Sequence, residues 1–153
     1  MVDLELQRVC LVDNEPSLHQ FELWVETVLA DQLRDIELVI RIVDEPESAA
    51  LNEQYRHKSG PTNVLSFPVE LPMGIDTPLL GDLVICAPVV VREANEQKKR
   101  VGDHWAHLVI HGVLHLLGFD HIEDQQAACM EAKEIAVLQK LSINNPYIEA
   151  VNS

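Results

Sequence analysis

Val2, Leu4 and Leu6 alternate with Asp3, Glu5 and Gln7, so the chain opens on a half-buried strand running toward Val12. Asp13 to Ser17 is rich in turn and capping residues. Leu18 to Leu33 then carries Phe21, Trp24, Val25, Val28 and Leu29 at helical spacing, which predicts a helix. Ile36 to Val43 is a β-branched run and predicts a second strand. Asp44, with Pro46 two residues on, starts a helix that continues through Ser48 to Tyr55. Turn residues Pro61, Thr62 and Asn63 lead into a short strand, which Pro68 confines to a sheet edge or a strand end. Leu71 to Pro78 is loop-like, and Leu80 to Cys86 reads as a fourth strand. Pro88 opens a helix to about Gln97, Asp103 begins another that Gly118 ends, and Glu123-Asp124 starts a last one to about Leu141. The interleaving predicts an α+β or α/β layer of about four strands and five helices, with no repeat or linker along residues 1–153.

Composition narrows the class. At 153 residues and 47% apolar, the chain suits one globular domain with a sizeable core. No apolar run approaches a membrane span, and Met1 to Glu5 does not resemble a signal peptide, so a cytoplasmic protein without membrane contact is expected. Cys10, Cys86 and Cys129 are odd in number and far apart, and are expected to be buried free thiols. The formal net charge of −14 argues against an unaided grip on long nucleic acid. It still allows an enzyme with a local basic strip and a cation in its cleft. Arg56, His57 and Lys58 in one segment, and Lys98, Lys99 and Arg100 in another, could form such a strip, although Lys98 and Lys99 read as a solvated helix end.

The chemistry concentrates in His111-Gly112-Val113-Leu114-His115-Leu116-Leu117-Gly118-Phe119-Asp120-His121. His111 and His115 share one helix face, and a left-handed Gly118 lets the chain turn and bring His121 to the same point. Three imidazoles with an open fourth position describe a catalytic metal site. The spacing matches the metzincin protease pattern except at one position: Gly112 stands where those enzymes carry the general-base Glu. By helical arithmetic His104 shares the arc of His111 and His115, while His107 sits about 60° away; both read as supporting or packing residues. A divalent ion here would support hydrolysis, by activating water or polarising a carbonyl or phosphoryl oxygen. Asp120 is the nearest candidate for moving the proton, and could equally orient a ligand or cap the turn. Asp82 could also face the site, or be a strand-end carboxylate. Arg56 could bind phosphate bidentately, or be a surface residue paired with Glu53 or Glu45.

The histidine motif resembles the signature of the bacterial YbeY family of rRNA maturation factors. Tyr55-Arg56, Pro61 to Pro68, and Gly81 to Ile85 agree with that family, in order and across essentially the whole chain. Phe119 stands where Tyr is common and Asn63 where Asp is common. The resemblance implies a small mixed sheet flanked by helices, an α+β fold distantly like metalloproteases. It implies a single-strand-specific, metal-dependent endoribonuclease that processes the 3′ end of small-subunit rRNA and serves ribosome quality control. It implies metal ligands at His111, His115 and His121, one Zn²⁺ or similar ion per chain, and Arg56 acting on the RNA phosphate. It also implies work on ribosomal particles with a small-subunit ribosomal protein and an Era-type GTPase, which would reconcile an acidic enzyme with an RNA substrate. Two other readings share the metal: a metallohydrolase of peptides or small molecules, and a ribosome-assembly factor whose zinc is structural, closed by a fourth ligand such as His104 or His107.

Overall fold

The computed structural model describes residues 2–10, 12, 15–32, 34–69, 77–119, 124–143 and 145–146. Strands β1 (Val2–Arg8), β2 (Ile36–Val43), β3 (Val64–Pro68) and β4 (Leu79–Cys86) form one sheet in the order β1-β2-β4-β3. The first three in that order run parallel, and β3 runs antiparallel to β4 at the edge. The helices are α1 (Leu18–Val28), α2 (Glu45–Arg56), α3 (Ala87–Glu96), α4 (Val101–Leu116) and α5 (Asp124–Lys140). The fold is α+β, a mixed four-stranded sheet with five helices among the described residues.

Alternation along the strands decides which side each helix covers. Leu38, Ile40 and Ile42 of β2 and Leu83 and Ile85 of β4 are buried on one face, where they join Phe21, Trp24, Trp105, Ile110 and Leu114 in the main core. Phe21 meets both tryptophans edge-to-face, at ring-centroid distances of 5.5 and 5.8 Å. On the other face Val43, Leu65, Val84 and Cys86 form a smaller cluster, with Leu51 of α2 packed against it. A buried α4, lined with Trp105, Leu108, Val109 and Val113, is therefore held rigidly against the sheet.

Local chemistry sets the ends. Ser17 and Gln20 form a reciprocal capping box on α1, and Asp44 accepts from the Glu47 N–H to cap α2. β1 stops at Arg8 rather than Val12 because its partner β2 ends: Val9 and Cys10 both donate to the Ile42 carbonyl. α1 stops at Val28, where Gln32 donates to the Leu29 carbonyl in a turn that leads toward β2. Of the cysteines expected to be buried, Cys86 is, Cys10 is half-buried and Cys129 is exposed. Cys129 lies on the outward face of α5, one residue before the buried Met130.

Candidate metal centre

α4 ends in a Schellman motif. Gly118 sits at φ 101°, its N–H donates to the His115 carbonyl, and Phe119 donates to the Leu114 carbonyl. The sequence placed the helix stop at this glycine for its left-handed freedom, and the structure uses it so. Asp120 and His121 lie outside the described residues.

One and two turns before the stop, His115 and His111 project side by side, with ring centroids 4.7 Å apart. His107 follows at 6.1 Å from His111, and His104 at 6.3 Å from His107. Each of the two upstream histidines is held by a carboxylate. His104 donates through Nε2 to Glu93 at 3.0 Å, and Asn63 donates to the same carboxylate at 3.0 Å. Burial pushes the His104 pKa down, against the pull of Glu93. His107 donates through Nε2 to Glu134 at 3.0 Å, and His111 donates through Nδ1 to the other Glu134 oxygen.

Glu134 was not anticipated. It is wholly buried. Met130, Val137 and Leu138 are buried on the same α5 face, so Glu134 sits inside an apolar stripe at i, i+4, i+7, i+8 spacing. That acidic residue in an apolar stripe was the available signal. His107, His111 and Glu134 form a group that could hold a metal ion. The donors also suit an ion on the other side of His111. Its Nδ1 is engaged by Glu134, so a metal held by this ring would be met by Nε2.

Gly112 is a packing requirement. A Cβ there would stand 2.7 Å from Leu83 Cδ2 and 3.4 Å from Ser66 Oγ. Ser66 also donates to the Gly112 carbonyl at 3.3 Å. A side chain at 112 would therefore have to displace the buried side chain of Leu83.

Arg56 closes α2 and reaches β3. Its Nη2 donates to the Ser66 carbonyl at 2.8 Å, and its guanidinium lies 5.8 Å from the centre of the Phe67 ring. It is exposed. Glu45, one partner weighed for it, pairs with Arg92 at 2.7 Å. Ser66 therefore contacts both Arg56 and the residue beside His111. Asp82 takes a different place from the one considered. Leu83 meets Gly112 of α4, so its strand neighbour Asp82 points to the opposite face of the sheet. There partial burial, and then Glu5, raise its pKa.

Comparison with known proteins decides the family. A family model described as Endoribonuclease YbeY matches residues 9–142. The chain belongs to the endoribonuclease YbeY family. That is a family of enzymes acting on RNA phosphodiester bonds. An Endoribonuclease YbeY of Colwellia psychrerythraea is 55% identical over 150 residues, covering 95% of this chain and 97% of that protein. The Endoribonuclease YbeY of Methylococcus capsulatus is 57% identical over 149 residues, covering 97% of each. That of Alteromonas mediterranea is 58% identical over 133 residues, covering 86% of this chain and 84% of the relative. The solution structure of TM1509 from Thermotoga maritima superposes with a TM-score of 0.60 at 25% identity, covering 100% of this chain and 99% of that one. Among the described residues no helix is long and apolar enough to cross a membrane.

Proposed function

We propose that this protein, as one domain over residues 1–153, is a metal-dependent endoribonuclease that cuts single-stranded rRNA. In this reading it matures the 3′ end of small-subunit rRNA and serves ribosome quality control in the cytoplasm. Its partners are the ribosomal particle, a small-subunit ribosomal protein and an Era-type GTPase. The observation that carries the nuclease reading is the placement of Arg56. An exposed guanidinium donates to the carbonyl of Ser66, whose side chain donates to the carbonyl of Gly112, the residue that follows His111.

The proposed ligands are His111, His115 and His121, holding one Zn²⁺; imidazole donors also suit other divalent transition metals. When bound, such an ion supplies water activation near neutral pH and polarises the phosphoryl oxygen. The remaining work falls to side chains. Arg56 spends one N–H on the Ser66 carbonyl, which fixes its position. Its guanidinium has five N–H groups, so others remain to bind a phosphate oxygen as charge develops. Gly112 leaves no carboxylate on α4 beside His111, so proton transfer is assigned to Asp120.

Peptide hydrolysis is disfavoured by the same strand. A peptide added to an open edge needs free backbone donors and acceptors at alternate residues. On β3 the Ser66 carbonyl is taken by Arg56, and Pro68 has no N–H to offer.

Arg56→Ala should keep its metal and lose about 10²–10³-fold in RNA cleavage, the scale of removing one preorganised donor at a developing charge. Single-turnover cleavage of an rRNA fragment, with zinc content measured on the same samples, checks this. Equal rates for the two proteins would remove Arg56 from the reaction.

A further inference from the structure

We propose that Glu134 is a positioning residue for the metal site: its buried carboxylate fixes the tautomer and ring orientation of His111, and His107 braces that carboxylate instead of ligating the metal. The proposal rests on the metal reading above, and not on the identity of the substrate.

Burial comes first. A carboxylate with no solvent exposure persists only where hydrogen bonds replace its water. Both Glu134 oxygens have that replacement, one from His107 Nε2 and one from His111 Nδ1. Met130, Val137 and Leu138 anchor α5 in the core on either side, so the carboxylate cannot swing away without unpacking the helix.

Contact then separates two roles, orienting a ring and holding an ion. The Glu134 oxygens meet their histidine nitrogens directly, one at His107 Nε2 at 3.0 Å and the other at His111 Nδ1. These are direct hydrogen bonds, so each Glu134 oxygen is already met by a ring N–H. Because Glu134 holds the Nδ1 side of His111, the ring presents its other nitrogen to the metal. A histidine ligand whose far nitrogen donates to a carboxylate is both oriented and made a stronger donor.

His107 completes the brace. It sits one turn before His111 and uses its Nε2 on the second oxygen. Loss of His107 would remove its hydrogen bond to Glu134, but would leave the metal its ligands.

Two measurements test this. The first uses the unaltered protein loaded with zinc and labelled with ¹⁵N-histidine. The chemical shifts should show His111 protonated at Nδ1 and metal-bound at Nε2, with His107 protonated at Nε2. A His111 bound through Nδ1, or a metal-bound His107, overturns the proposal. The second compares Glu134→Gln and His107→Ala with the wild type, using chelator competition for zinc and the visible spectrum of the cobalt form. Glu134→Gln should bind one ion about 10–100-fold more weakly, with the cobalt bands in place. His107→Ala should keep one ion and the same bands. Displaced bands in either variant would make that residue a ligand and overturn the proposal. Unchanged zinc affinity in a folded Glu134→Gln would also overturn it. A wild type that binds no zinc would overturn the metal reading itself.

Discussion

His115→Ala is expected to abolish tight metal binding and, with it, RNA cleavage. His115 has no substitute on α4. His107, the histidine on the far side of His111, is committed through Nε2 to Glu134, and His104 is committed to Glu93. The affinity loss should therefore exceed the roughly 10–100-fold that follows loss of a partner that only supports a ligand. Stability should change with it, because an ion that binds only the folded chain stabilises it in proportion to the logarithm of its concentration over its dissociation constant. Zinc should raise the melting temperature of the wild type and leave that of His115→Ala unmoved. The core should survive, since His115 is only half-buried and lies outside the Phe21–Trp105 cluster. Zinc titration with thermal unfolding measures both effects. One zinc per chain at wild-type affinity in His115→Ala would remove it from the ligand set.

Gly112→Glu is the substitution that the protease spacing invites, and it is expected to destabilise the protein without creating a peptidase. The new Cβ would stand 2.7 Å from Leu83 Cδ2, and Leu83 is fully buried between the sheet and α4. Overpacking a tight contact costs about 1–3 kcal/mol. Forcing a carboxylate into that apolar contact adds a cost of similar size or larger unless the helix moves. A combined loss of about 3 kcal/mol or more is a large share of the stability of a small domain. Any outward shift of α4 would also break the Ser66 contact to the Gly112 carbonyl, and so loosen the strand that Arg56 holds. Urea unfolding checks the stability. A midpoint equal to that of the wild type would show that α4 accommodates a side chain at this position.

Local rules wrote much of the fold into the chain. The β-branched run from Ile36 to Val43 is β2 from end to end. Pro68 ends an edge strand, as its missing N–H requires, and Gly118 closes α4 by a backbone that glycine adopts freely. The features left unread were set by tertiary contact. Strand alternation gives two faces but not which of them meets the metal helix, so the direction of Asp82 needed α4 in place. A glutamate in a helix is ordinarily solvated, so the apolar stripe around Glu134 is only a hint until the docking of Met130, Val137 and Leu138 puts it inside. Arg56 could be seen as a rare cation in an acidic chain. Its anchor was hidden, because the Ser66 carbonyl is a backbone group and carries no residue-specific signal.

The most direct measurement loads the wild-type protein with one zinc and offers it a single-stranded rRNA fragment and, separately, an unstructured peptide, each with and without chelator. If the protein is a metal-dependent nuclease, the RNA is cut, the cut stops with chelator and returns with added zinc, and the peptide stays whole. Zinc-dependent cleavage of the peptide with the RNA left intact would contradict that reading.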